Sequence, residues 1–184
     1  MANTMSGREI LVGVTGGIAA YKTAALVSRL VQSGASVTVV MTEAATHLVG
    51  PKTFEALTGR AVGIDLWSQT PHPHIDLARR ADLLCVAPAT ANFFAKAACG
   101  LADDLLTTCL LAFSGPVLVA PAMNSQMWHK PAVQRNLRQL QEDGFLLIDP
   151  GEGYLSCGEV GAGRMAEPDR IYAKIEEILC RRVV

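Results

Sequence analysis

Charge is scarce in this sequence. Of 184 residues, 18% are Asp, Glu, Lys or Arg, against about 25% in an ordinary soluble domain. A monomer of this size needs more water-facing surface than that. Either the core is large or copies of the chain cover part of one another. An excess of one sign is lacking too: 16 Lys and Arg stand against 17 Asp and Glu, a net charge of −1. An electrostatic binder of nucleic acid or of a membrane surface would carry a basic footprint, which this composition excludes. A mean hydropathy of +0.27 with so little charge excludes disorder.

Long apolar runs are missing as well. Residues 105–123 are apolar on average, but Ser114-Gly115-Pro116 cuts the run, short of the roughly 18 residues of a membrane span. The five cysteines, Cys85, Cys99, Cys109, Cys157 and Cys180, form no C-x-x-C pair and no metal-ligand spacing. Their odd number, with no signal-peptide pattern, points to free thiols in a reducing cytoplasm. No repeat, low-complexity tract or linker divides the chain, so a single domain is expected over residues 1–184. The first eight residues are polar and small and read as a loose arm.

What the sequence does have is alternation. Val/Leu/Ile-rich runs at Glu9–Val14, Ser36–Met41, Leu83–Ala87, Val117–Ala120 and Phe145–Ile148 are short enough for strands. Their near-continuous apolar character suits a parallel sheet buried on both faces. Between them lie helical patterns at Ile18–Gln32, Pro51–Thr58, Ala91–Ala98, Asp103–Phe113, Lys130–Asp143 and Pro168–Arg181, several with Pro at the first turn or Gly after the end. Strand and helix in turn give a three-layer α/β domain with a mostly parallel sheet. The glycine-rich segment 151–164 shows no period and reads as an irregular lid over a site.

The candidate site residues stand where strands end. The first strand runs into Thr15-Gly16-Gly17-Ile18 and a helix. Such a junction offers backbone N–H groups at the positive end of a helix dipole, a good seat for phosphate. The spacing is neither G-x-G-x-x-G nor a Walker loop, and a merely structural turn is the other reading. After the second strand, Glu43 stands where an acid contacts a dinucleotide ribose, Thr42 where a hydroxyl reaches a phosphate, and a plain polar loop is the third reading. Pro88-Ala89-Thr90-Ala91-Asn92 follows the third strand, with small side chains that let a flat ring approach the backbone. Pro121 to Trp128 follows the fourth, with Asn124 to hold a carboxylate and Met127 as an apolar wall. His47 and His129 read as surface residues. His74 opens a short helical pattern at the carboxyl side of the sheet and is the better candidate, His72 being its neighbour across Pro73. Cys157 differs from the other cysteines in lying in the glycine-rich segment. There it is either a proton donor over a site or an idle loop residue.

Five strings in this order, VGVTGGIAAYK, HIDLARRAD, PATAN, PAMNSQMW and SCGEVGAGRM, resemble the homo-oligomeric flavin-containing cysteine decarboxylases. Within them the chain is similar to the phosphopantothenoylcysteine decarboxylases of coenzyme A biosynthesis, from Ile10 to about Ile178. The resemblance implies a Rossmann-like, flavodoxin-like fold that binds FMN between subunits of a homotrimer, or of a dodecamer of trimers. It implies Gly16, Gly17 and Ile18 in the first FMN loop, Thr42 and Thr107 as hydroxyls near the flavin phosphate, and Ala89, Thr90, Ala91, Asn92 and Ala122 along the ring. It also implies His74 as the active-site histidine, Asn124 as the grip on the substrate carboxylate, beside which Met127 is the expected apolar wall, and Cys157 as the thiol of a final reduction.

The implied reaction takes 4′-phosphopantothenoylcysteine to 4′-phosphopantetheine by transient oxidation of the substrate thiol, loss of CO₂ and re-reduction. Two alternatives stay open: a lantibiotic-type peptidyl-cysteine decarboxylase, and a flavin-binding regulatory subunit without catalysis. Many bacterial relatives continue into a synthetase domain. This chain ends after its last helix, which leaves a standalone decarboxylase with a separate synthetase partner or a piece of a bifunctional protein.

Overall fold

The computed structural model describes residues 5–67, 71–154, 158 and 160–181. Strands β1 (Glu9–Val14), β2 (Ser36–Met41), β3 (Leu83–Ala89), β4 (Val117–Pro121) and β5 (Leu146–Leu147) form one sheet in the order β2-β1-β3-β4-β5. Every neighbouring pair is parallel. This is the flavodoxin-like winding, in which the order reverses between β1 and β3.

Alternation along the strands builds the layers. Ile10, Val12 and Val14 of β1 and Leu83, Cys85 and Ala87 of β3 face one cluster, with Leu26 and Leu30 of α1 (Ala20–Gln32) and Ile171, Ile175 and Leu179 of α9 (Pro168–Arg181). Leu11, Leu84 and Val86 face the other, with Phe93 and Phe94 of α5 (Ala91–Ala98), Leu105 and Leu106 of α6 (Leu105–Ala112) and Leu137 and Leu140 of α8 (Pro131–Glu142). Each such aliphatic side chain contributes about 1.5–3 kcal/mol by leaving water. Complete burial pushes the Cys85 thiol up to about 12, an inert core residue. Short helices α2 (Glu43–Thr46), α3 (Pro51–Thr58), α4 (Pro73–Arg80) and α7 (Ser125–Trp128) complete the layers. No helix among the described residues is long and apolar enough to cross a membrane.

Two expectations need correction. The arm foreseen over the first eight residues does not hold for residues 5–8. Met5 is fully buried in the core, and the Gly7 N–H donates to the Gly34 carbonyl at 3.2 Å. Residues 1–4 lie outside the described residues. The segment 151–164 is not irregular at its two ends. Strands β6 (Gly151–Tyr154) and β7 (Val160–Arg164) pair antiparallel, as a hairpin separate from the main sheet. Backbone pairing organises a stretch whose side chains show no period.

Candidate active site at the sheet switch point

A cavity of about 540 Å³ opens where β1, β3 and β4 end, within the range of about 300–1,000 Å³ usual for small-molecule sites. It is lined by Gly16 to Ala19 with Tyr21 and Lys22, by Thr90 and Ala91, by Ala122 to Asn124 with Met127, and by the hairpin side at Gly163 to Met165. A wider groove of about 890 Å³ lies against β2 and α4 instead.

The floor is fixed by buried hydroxyls. Thr15 donates to the Pro88 carbonyl at 2.7 Å and accepts from the Thr90 N–H at 3.2 Å, clamping the first loop to the third. One turn into α1, Thr23 donates to the Ala87 carbonyl at 2.7 Å. Thr90 caps α5 by accepting from the Phe93 N–H. By contrast α1 starts without a side-chain cap, its Ala20 and Lys22 amides donating to the Gly17 and Ala19 carbonyls at 2.9 Å. A Cβ on Gly16 would sit 2.6 Å from Ala44 Cβ, so only glycine lets the loop pack this closely on α2.

Thr42 precedes α2, and its amide donates to the Val14 carbonyl beside that loop. Its hydroxyl oxygen is shut off from solvent and has no hydrogen-bond partner among the described residues. An orphaned hydroxyl beside a glycine turn, a helix start without a side-chain cap and a wall of small side chains together fit a flat ring carrying an anionic tail.

Asn124 caps α7, its Oδ1 accepting from the amides of Gln126 at 2.8 Å and Met127 at 3.3 Å, which fixes the orientation of its amide. The hairpin docks beside it. The Met123 N–H donates to the Gly163 carbonyl at 2.9 Å. Gly163 has φ +117°, and a Cβ there would drive into the Met123 carbonyl oxygen, so both conformation and contact demand glycine.

Several expected residues do not line this cavity. Ala89 is buried at the end of β3 and Asn92 is exposed on α5. Thr107 is fully buried, and its hydroxyl is engaged in the capping box of α6 with Asp104. That box is a structural use which its position in an apolar helix concealed. His74 lies in the first turn of α4, half-buried, with Nδ1 shut off from solvent and without a hydrogen-bond partner among the described residues. The His72 ring stands edge-on to it at 6.4 Å. Cys157 lies outside the described residues.

Sequence reading missed both charged groups at the cavity, Lys22 and Arg164. Lys22 is 9% exposed and donates to Glu167 at 2.8 Å. Glu167 also pairs with Arg164 at 3.0 Å. The hydrogen bond from Lys22, helped by the charges of Lys22 and Arg164, holds the Glu167 carboxyl below the ordinary carboxylate range. The signals were that Lys22 closes the string VGVTGGIAAYK and falls on the apolar face of α1.

Residues 2–180 match the sequence profile of the Flavoprotein family. The chain belongs to the flavoprotein family. This flavoprotein is 52% identical over 176 residues to the coenzyme A biosynthesis bifunctional protein CoaBC of Bacillus subtilis (strain 168), covering 94% of this chain and 43% of that protein. It spans less than half the length of the curated relatives it matches. Among solved structures, it is similar to a PPC decarboxylase variant complexed with pantothenoylaminoethenethiol, with TM-score 0.83 and 34% identity over 92% of this chain and 97% of that one. It is likewise similar to the FMN-dependent cysteine decarboxylase SpaF, with TM-score 0.85 and 36% identity over 98% and 99% of the two chains.

Proposed function

We propose that this flavoprotein decarboxylates 4′-phosphopantothenoylcysteine to 4′-phosphopantetheine, using FMN seated in the switch-point cavity. The observation that carries this reading is the convergence on one cavity of the glycine turn, the small-residue wall and Asn124, the cap of α7. The likeness to PPC decarboxylase over nearly the whole of both chains, and to the CoaBC proteins, supports it. When bound, FMN supplies an electron sink that takes two electrons from the substrate thiol and later returns them, so that CO₂ can leave.

The chain's own residues bind and orient. Gly16, Gly17 and Ile18 present their backbone to the cofactor phosphate, with the Thr42 hydroxyl as a further contact. Thr90, Ala91 and Ala122 lie along the ring. Asn124 grips the substrate carboxylate, and Met127 walls the cysteine end. A neutral grip suits a group that departs as uncharged CO₂ better than an ion pair would. His74 orients the substrate and takes the thiol proton. Since it does not line the cavity of its own chain, a neighbouring copy in a homotrimer or a dodecamer of trimers supplies it. Ile18, Tyr21 and Met127 are 59%, 62% and 46% exposed at the cavity, an apolar margin that suits cover by a second copy. Cys157 donates the proton of the final reduction.

The test is product mass spectrometry. Purified protein carries flavin absorbance, releases CO₂ from 4′-phosphopantothenoylcysteine and yields 4′-phosphopantetheine. Cys157→Ser stalls at the unreduced enethiol, and His74→Asn loses the first step. A protein that takes up no FMN sinks the reading. The likeness to SpaF favours a second reading, decarboxylation of a cysteine-ending peptide. Turnover of such a peptide, with 4′-phosphopantothenoylcysteine left untouched, would establish it instead.

A further inference from the structure

Lys22 is an unusual wall for an apolar cavity. Lysine ordinarily runs its stem along the surface and keeps its ammonium in water, and burying that charge is costly unless it is paired. Here the Lys22 side chain is 10% exposed, while that of its partner Glu167 is 55% exposed. The cation is the fixed member of the pair and the carboxylate the movable one.

The charge count leans the same way. Among the described residues, the charged side chains lining the cavity are Lys22 and Arg164, both cations, with no acid. Both lean on Glu167, which approaches from outside the lining. One carboxylate facing two cations leaves a surplus positive charge at the cavity. Such a pair suits a dianion that can displace the carboxylate: the lysine acts as a point charge and the arginine as a fork.

We propose that Lys22 and Arg164 form the subsite for a phosphate monoester, and that this phosphate belongs to the substrate. The proposal rests on the decarboxylase reading and assigns its specificity. On the decarboxylase reading the cofactor phosphate is taken by the glycine turn, at the other end of α1's first turn from Lys22. Lys22 and Arg164 instead join α1 to the hairpin that docks against Met123, beside Asn124. Glu167 holds the pair in place before substrate arrives and gives way to the phosphate.

The test uses FMN-loaded protein. Calorimetric titration compares 4′-phosphopantetheine with pantetheine, and kcat/KM compares 4′-phosphopantothenoylcysteine with its dephosphorylated form. The wild type prefers the phosphorylated member of each pair. Lys22→Met cuts both preferences by roughly 10- to 100-fold, the worth of a charge-assisted hydrogen bond. Lys22→Arg keeps most of them. Arg164→Gln, at the exposed end of the subsite, lowers them in the same direction and serves if Lys22→Met does not fold.

A preference unchanged in Lys22→Met overturns the proposal, as does an equal loss for both members of each pair. The rate at which FMN leaves the holoenzyme separates the two sources of phosphate. Faster release in Lys22→Met with the substrate preference intact assigns the cation to the cofactor and overturns the proposal. Failure of the decarboxylase reading shows separately, as wild-type protein that releases no CO₂ from 4′-phosphopantothenoylcysteine.

Discussion

Thr15 holds one wall of the cavity from inside the sheet, whereas Gly163 hangs the opposite wall on a backbone hydrogen bond to Met123. The sheet wall is bonded through hydroxyls buried to 2% exposure or less, on strands packed on both faces. The hairpin wall is a two-stranded ribbon outside the main sheet, with ion pairs through the half-exposed Glu167 at its base. The first wall is costly to deform because a lost partner there leaves an unsatisfied buried group. The second relies on geometry at a few points and on screened charges, and it opens at lower free energy. A site built this way keeps a rigid seat for a resident group and a yielding side for the molecule that must enter and leave.

The largest effect expected from breaking this contrast is at Gly163. Gly163→Ala forces a strained backbone into the Met123 carbonyl, at about 1–3 kcal/mol of local strain. Because it displaces the hairpin beside Asn124, product formation should fall about 100-fold, the cost of a misplacement of about 1 Å. Turnover and thermal melting measured together decide it. Unchanged turnover would mean that the hairpin wall takes no part.

On the sheet wall the balance should reverse. Thr15→Val leaves the Pro88 carbonyl and the Thr90 N–H without their partner, lowering global stability by about 1–3 kcal/mol in urea unfolding. A variant as stable as the parent would show that the clamp carries no weight.

The smallest effect is electrostatic. Glu167 is held below the ordinary carboxylate range chiefly by Lys22. A depressed folded value means that its contribution is complete above the unfolded value of about 4.3. It is lost as pH falls through the lower folded value. With Glu167 half-exposed, the pair is worth about 0–1 kcal/mol. Relative to the intrinsic chemical rate, which itself falls with pH, hydrogen exchange of the β7 amides should therefore quicken on acidification while that of the Thr90 amide does not, and Glu167→Gln should remove the difference. Equal acceleration at both places would erase the distinction between the walls.

The sheet was legible because its cause is local. Uninterrupted Val, Leu and Ile runs can be satisfied only by burial on both faces, and β1 and β2 match the expected bounds residue for residue. Helices α3, α5 and α9 match as well, each bounded by residues that start or stop a helix. The junctions holding Gly16, Thr90 and Asn124 were legible for the same reason, since a loop at a strand's carboxyl end is placed once the strand is. The hairpin was not. Its strands hold through main-chain bonds to each other and to Met123, and such bonds leave no side-chain pattern to read. Lys22 escaped notice because its meaning depends on Glu167, 145 positions away. The engagement of Thr107 in a cap was likewise a three-residue detail inside an apolar run.

The packing of α1 against α9 bears on how the molecule is made. The opening helix leaves the ribosome long before the closing one, so Leu26 and Leu30 wait beside a half-built layer until Ile171, Ile175 and Leu179 arrive to cover it. Synthesis that stops short of Pro168 leaves that layer bare and sticky. The layer closes only when α9 packs back on α1.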